Sequence, residues 1–305
     1  MPAGTHDAVP DSRNENVLVW INGQLHPRPE AKITVFDSGY LVGDGIWEGL
    51  RLDQGVLLFL EMHLDRLFRG LGTVRLAPGL TREEVVAALY ATVKANRMRS
   101  GVHVRIMVTR GTKKTPSQDP RLTIGPANVV IIAEHKKANP SAKKTGVSLH
   151  TASVRRPPPD SLDQRINCHS KIHEVIALNE ALEAGADEAL MLDIYGNVAT
   201  CNATNFFAIV DGEVWTSTGS HCLPGITRAN VIDLAQKAGL TLRQFDFTPT
   251  KMEGASEAFV TGTFGGLTPV SRIDGLELDV FGPVTRKLSS AYELAKMNYV
   301  ASARH

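Results

Sequence analysis

Between His135 and Val147 the chain runs KKANPSAKKTG, a stretch without one branched aliphatic or aromatic side chain. Such a segment has nothing to contribute to a core, so it divides the core-forming sequence in two and predicts an interdomain linker over 136–145. The 305-residue length agrees, since single cores stop growing near ~250–300 residues. Domains are expected over 1–135 and 146–305, with the polar residues 1–15 loose at the front.

Apolar spacing assigns the elements. VLVWINGQL (17–25) reads as two strands around an Asn-Gly turn, and KITVFD (32–37) as a further strand. LFLEMHLDRLFRGLGTV and TREEVVAALYATVKANRM read as helices, the second opened by a Thr81–Glu84 capping box. HVRIMVTRG and NVVIIAEH are strands. After the linker come strand SLHTASV, a helix through KIHEVIALNEALEAG, strands EALMLD, NFFAIV and EVWTS, helix ITRANVIDLAQKAG, strand EAFVTG and a last helix, GPVTRKLSSAYELAKM. Strands and helices do not alternate as in a doubly wound sheet, so the expected fold class is α+β, two domains meeting at a cleft.

Charge excludes some partners. Lys and Arg number 33 against 32 Asp and Glu, so no field attracts nucleic acid or an anionic membrane, and a small molecule or a protein is the expected partner. Three cysteines without a CxxC make neither a disulfide framework nor a structural zinc site. No secretory signal and no membrane-length apolar run is visible, which points to a reduced, cytoplasmic protein.

Several segments could carry chemistry. LPGITRAN (223–230) is a Pro-Gly turn opening a helix with Thr227 in its first turn, and a helix start of this kind binds anions. TGTFGGLTPV (261–270) follows a strand and has glycines that let backbone amides converge on an oxyanion. GDG at 43–45 is a candidate loop or a plain turn between strands. Arg66 lies on a helix, Arg105 and Arg110 on or beside a strand, and Arg105 shares a strand face with His103. In INCHSKIHEV (166–175), His169 and His173, like Asn167 and Lys171, are four apart and are expected on one helix face. Lys171 beside Ile172, Val175 and Ile176 is a candidate desolvated, nucleophilic amine. No GxxxxGK[ST] and no GxGxxG occurs.

GYLVGDGIWEGLR, HLDRL, AGADEALMLDIYGNVATCNATNFFAIVDGEVWTS, LPGITR and EAFVTGT…TPV, in that order, resemble the class IV, fold type IV, pyridoxal-phosphate aminotransferases, from about Val17 to about Leu294. That family includes branched-chain and D-amino acid aminotransferases and aminodeoxychorismate lyase. The resemblance implies a two-domain enzyme with its active site at the interdomain cleft and pyridoxal 5′-phosphate as cofactor. An amino acid, branched-chain-like, and a 2-oxo acid would be the substrates, and a homodimer the assembly. Arg66 would bind the cofactor phosphate, together with Ile226 and Thr227 and with Thr263 and Phe264. Arg105 and His103 would face the substrate carboxylate, Trp47 and Val42 would line the side-chain pocket, and Cys201 to Ala203 would run beneath the ring.

Two positions depart from the family pattern. Paired without gaps, Asn167 stands where the family lysine carries the cofactor, and Lys171 falls one helical turn later, about 6 Å along an axis. Thr200 stands where a glutamate pairs with the pyridine nitrogen, so a hydroxyl there leaves the ring largely neutral. Three readings remain: an aminotransferase working through Lys171, a lyase or racemase on the same fold, or a family member that binds ligand without transamination.

Overall fold

Asn22 and Gly23 both take positive φ, 49° and 95°, which a two-residue hairpin of this hand requires. They join β1 (Leu18–Ile21) to β2 (Gln24–Pro27) as anticipated. The computed structural model describes residues 4–138 and 140–303; the first three residues of the N-terminal segment, Asn139 of the expected linker and the last two residues lie outside it. The described chain divides into two units, one of Val9–Lys137 with Ile166–Ser170 and the residues from Val300, the other of residues 4–8, Ala138–Arg165 and Lys171–Tyr299.

The N-terminal unit is a six-stranded antiparallel sheet in the order β2-β1-β6-β5-β3-β4, with β3 (Gly45–Asp53), β4 (Val56–Leu57), β5 (Val102–Thr109) and β6 (Asn128–His135). Strand alternation turns Ile46, Leu50, Leu52, Val104 and Ile106 to one face, where they pack with Leu64, Leu67 and Leu89 of α2 (Leu60–Thr73) and α3 (Arg82–Ala95). Trp47, Gly49, His103, Arg105 and Met107 alternate with these residues and so belong to the opposite face. The Thr81–Glu84 capping box is present. KITVFD is not a strand: Asp37 instead caps α1 (Ser38–Val42), its Oδ1 accepting from Gly39 N–H at 2.8 Å while Oδ2 accepts from the Thr109 hydroxyl at 2.6 Å. A buried carboxylate with those donors at hand favours the helix start over a strand. GDG is therefore not a turn between strands; Gly43, φ 71°, ends α1 and leads into β3.

The C-terminal unit begins with α4 (Pro140–Thr145), a single short helix within the stretch expected to be plain linker, pinned by buried Ala142. Its nine-stranded sheet comprises β7 (Val147–Thr151), β8 (Glu188–Leu192), β9 (Val198–Cys201), β10 (Asn205–Val210), β11 (Glu213–Thr216), β12 (Leu242–Gln244), β13 (Ala255–Gly262), β14 (Gly266–Ile273) and β15 (Leu276–Glu277). The order is β9-β8-β7-β14-β13-β10-β11-β12, with β15 on β14. β7 runs parallel to both neighbours, β8 and β14. Ala189 and Met191 of β8 pack under Ala177 and Ala181 of α5 (Ile172–Glu183), whereas Leu190 and Leu192 enter the core on the other face with Phe206 and Val260. Helices α6 (Ile226–Lys237) and α7 (Pro283–Ser302) complete the elements. No described helix is long and apolar enough to cross a membrane.

The segment expected to be loose at the N-terminus is held: Thr5 is buried against Glu188, and Ser12–Asn16 form a short 3₁₀ helix. Polarity in the sequence concealed this, because the contacts are themselves polar.

Candidate active site

In the N-terminal unit three of the expected substrate residues, Trp47, His103 and Arg105, share one sheet face. Trp47 stands in β3 beside Gly49, which pairs with Arg105 of β5, and the Arg105 guanidinium lies 4.1 Å from the centre of the Trp47 ring. His103 folds over Gly49; a Cβ built there would come within 2.9 Å of His103 Nε2. The absence of a side chain at 49 thus admits the His103 ring beside Trp47 and Arg105. Val42 lies at the exposed end of α1.

Arg66 belongs to the other face. From α2 its Nε and Nη2 reach Glu48 of β3 at 2.6 and 2.8 Å, and Glu48 also meets His63 Nδ1 at 2.7 Å. Burial works to raise the Glu48 carboxyl, but the Arg66 and His63 charges and hydrogen bonds outweigh it and hold the group below the usual carboxylate range. Glu48 and His63 were not singled out from sequence; strand alternation in IWEGL, which places Glu48 opposite to Trp47, was the available signal. Arg110 is structural, bonding Asp44 at 2.6 Å and the Val74 carbonyl at 2.9 Å.

INCHS was expected on a helix with the residues that follow; it is instead irregular and runs along β3. Asn167 O accepts from Trp47 N at 3.0 Å, His169 N donates to Gly45 O at 2.9 Å, and Cys168 forms a bridge with Ile46. Added backbone pairing along β3 satisfies groups that a helix start would leave open. His169 and His173 therefore share no helix face, and the same holds for Asn167 and Lys171. Asn167 is buried, and its Oδ1 has no hydrogen-bond partner among the described residues.

Lys171 is the N-cap residue of α5 in the C-terminal unit. The apolar neighbours expected to desolvate it do not: Ile172, Val175 and Ile176 are 70%, 50% and 44% exposed. Its Nζ instead lies 3.3 Å from Glu174 Oε1, which also accepts from Arg156 Nη1 at 2.7 Å. Burial opposes the charge on Glu174, and Lys171, Arg156 and His173 together more than offset it, so the carboxyl sits below its ordinary value. His173 is pushed down, chiefly by burial.

Three further segments of this unit converge. Thr200 on β9 donates its hydroxyl to Thr204 O at 2.7 Å, leaving only oxygen lone pairs to offer. Asn205 Nδ2 reaches Leu223 O at 3.0 Å and Thr200 Oγ1 at 3.4 Å, tying that turn to the Pro-Gly turn before α6. Gly225, the N-cap of α6, supplies no side-chain cap, and a Cβ there would collide with Asn205. The first-turn amides of Ile226 and Thr227 therefore have no capping side chain at Gly225 to accept from them, the arrangement that suits an anion. Tyr292 of α7 joins the third segment: its hydroxyl is 3.4 Å from Thr227 Oγ1, and its ring lies 3.5 Å from a Cβ built on Gly266. Gly266 closes the β13–β14 turn that holds Thr263 and Phe264. Burial raises the Tyr292 phenol to about 12, so it remains a neutral donor. Tyr292 and Asn205 were not singled out from sequence: Asn205 lies within the central block that carries the resemblance, and Tyr292 lies on the last helix.

A helix start without a side-chain cap, a neighbouring hydroxyl and a glycine turn suit a phosphate, and the orphaned Thr261 Oγ1 beside them is a further polar group for a ligand to satisfy. Residues 45–273 match the amino-transferase class IV family. The chain belongs to that family. Class IV aminotransferases use pyridoxal phosphate, and the phosphate half of this unit fits that cofactor.

The chain is 37% identical over 288 residues to branched-chain-amino-acid aminotransferase-like protein 1 of Arabidopsis thaliana, covering 94% of this chain and 52% of that protein. It thus spans about half the length of that relative. A putative branched-chain-amino-acid aminotransferase of Methanocaldococcus jannaschii is 33% identical over 278 residues, covering 90% of this chain and 95% of the relative. Among solved structures, the branched-chain aminotransferase of the thermophilic archaeon Thermoproteus uzoniensis with norvaline superposes with a TM-score of 0.84 at 28% identity, covering 93% of this chain and 96% of that one. The fold is accordingly that of the fold type IV aminotransferases.

Proposed function

We propose that this class IV aminotransferase moves an amino group between a branched-chain-like amino acid and a 2-oxo acid, as a cytoplasmic homodimer. The observation that carries the reading is the convergence of the Thr200–Asn205, Leu223–Thr227 and Gly262–Gly266 segments through Asn205 and Tyr292. Bound pyridoxal phosphate supplies the electron sink that lets a proton leave the amino acid's Cα. Ile226, Thr227, Thr263 and Phe264, with Arg66, hold the phosphate. Thr200 stands at the pyridine nitrogen in place of a carboxylate, its hydroxyl turning from Thr204 O to donate to the neutral ring. Arg105 and His103 take the substrate carboxylate, while Trp47 and Val42 bound its side chain. Lys171 Nζ carries the cofactor and relays the proton leaving Cα. Glu174, 3.3 Å away, orients that amine.

The Lys171–Glu174 pair and the backbone-pinned Asn167 favour one alternative, a family member that binds its cofactor or ligand without transaminating. Borohydride reduction of protein loaded with pyridoxal phosphate, followed by peptide mapping, separates the two. A pyridoxyl group on Lys171 with amino transfer to 2-oxoglutarate supports the aminotransferase. Tight cofactor binding with no covalent adduct supports the alternative.

A further inference from the structure

Ahead of Val9 the chain makes a tight turn, Asp7 N donating to Gly4 O at 3.0 Å, and the turn presents Thr5 and His6 to the rest of the C-terminal unit. Thr5 is buried, and both its backbone amide, at 2.7 Å, and its hydroxyl donate to Glu188 Oε1. The other oxygen of Glu188 accepts from the Thr204 hydroxyl at 3.1 Å. Thr204 in turn offers its carbonyl to Thr200 Oγ1 at 2.7 Å and to Cys201 N at 2.9 Å. One fully buried carboxyl therefore connects the N-terminal turn to the turn that carries Thr200.

A second set of contacts reaches the phosphate turn. The Thr5 carbonyl lies 3.5 Å from a Cβ built on Gly265, so the chain passes close over that residue. The His6 ring packs on Phe264 with centroids 6.2 Å apart, and Thr5 Oγ1 is 3.2 Å from His6 Nδ1. With the Thr5 proton given to Glu188, the hydroxyl oxygen accepts from Nδ1–H, which fixes the His6 tautomer. Burial pushes the Glu188 carboxyl up, and the Thr5 and Thr204 donors pull against that shift.

We propose that Gly4–Asp7 is a strap that clamps the Cys201–Thr204 and Thr263–Gly265 turns at once, making Thr5 a positioning residue for the cofactor phosphate. This rests on the reading that those turns hold pyridoxal phosphate. The strap touches no reacting atom; it acts by restricting the turn that runs beneath the ring and the turn that meets the anion, so that less order has to be gained on binding.

The test uses the full-length protein with Thr5→Val, which removes the hydroxyl and keeps the shape, and Thr5→Ser, which restores it. Amide hydrogen exchange is followed without cofactor, and pyridoxal phosphate affinity is measured by fluorescence quenching. Thr5→Val should speed exchange at 201–204 and 263–266 roughly tenfold, the scale of one lost hydrogen bond to a buried carboxylate, and weaken cofactor binding by a similar factor. Exchange in α2 and α3 should stay unchanged, and Thr5→Ser should recover both signals. Unchanged exchange at the two turns, or a uniform rise across the whole chain, overturns the strap. If the parent protein takes up no pyridoxal phosphate, the functional reading fails, while the exchange comparison still decides the strap.

Discussion

Glu48 and Arg66 are joined at both carboxylate oxygens, 2.6 Å at Oε1 and 2.8 Å at Oε2, with neither side chain more than 6% exposed. A buried pair of this kind contributes little net stability when intact, yet losing one partner strands the other charge. Glu48→Gln should therefore cost about 3–5 kcal/mol, read as a lower urea midpoint. The double change Glu48→Leu with Arg66→Met should recover most of that loss. Because Arg66 is also the proposed phosphate ligand, the double variant should regain stability but not cofactor affinity. Recovery of both would remove Arg66 from the cofactor site.

Gly49 admits the His103 ring, since any Cβ there meets Nε2 at 2.9 Å and Cε1 at 3.3 Å. Gly49→Ala should displace His103 at a cost of about 1–3 kcal/mol for overpacking. If His103 and Arg105 take the substrate carboxylate, KM for the amino acid should rise more than kcat falls. An unchanged KM would detach His103 from substrate.

Acid should weaken the fold through Glu48 and Glu174, both held below the ordinary value of 4.5. For a carboxyl lowered in the folded state, the stabilising contribution is present above the unfolded value and is lost as pH falls through the folded one. Glu188 runs the other way, because its carboxyl is raised. Its contribution is complete below 4.5 and drains away as pH rises through the folded value. Tm should thus fall steeply below about pH 4.5. Glu188→Gln, which keeps an acceptor for Thr5, should raise Tm at pH 8 relative to the parent more than it does at pH 5. Equal changes at the two pH values would count against the buried carboxyl.

The elements legible in the sequence were those whose periodicity is local. The Asn22-Gly23 hairpin, the capped α3 and the alternation of His103 and Arg105 needed only neighbours in the chain. KITVFD has strand composition, but Asp37 is claimed by Gly39 N–H and by Thr109, 72 positions away in sequence. The INCHS segment carries helix-compatible spacing, yet it pairs with β3, and no local rule reports a distant strand edge in want of a partner. Lys171 stood among apolar residues that turn outward because α5 buries its alanines against β8. The Pro-Gly turn before α6 and the Gly262–Gly266 turn were readable as motifs; that Asn205 and Tyr292 bring them together was not, since a polar bridge has no periodicity.

Asn167 allows the decisive register test. Its backbone is fixed to β3 by the Trp47 N to Asn167 O bond at 3.0 Å and by the His169 N to Gly45 O bond at 2.9 Å. The position cannot slide by four residues without breaking both bonds, so Lys171 does not move into it. The buried Oδ1 lacks a partner among the described residues, and an unsatisfied buried acceptor costs about 1–3 kcal/mol. Asn167→Leu, which keeps the branching at Cγ and removes the polar atoms, should therefore raise the urea midpoint. Asn167→Lys restores the amine at the position of the ungapped pairing. After loading with pyridoxal phosphate and borohydride reduction, its adduct should still map to Lys171 at the start of α5 and be lost when Lys171→Ala is added. An adduct on the peptide holding residues 166–170 that persists in the Lys171→Ala background would move the cofactor amine to position 167 and remove Lys171 from that role.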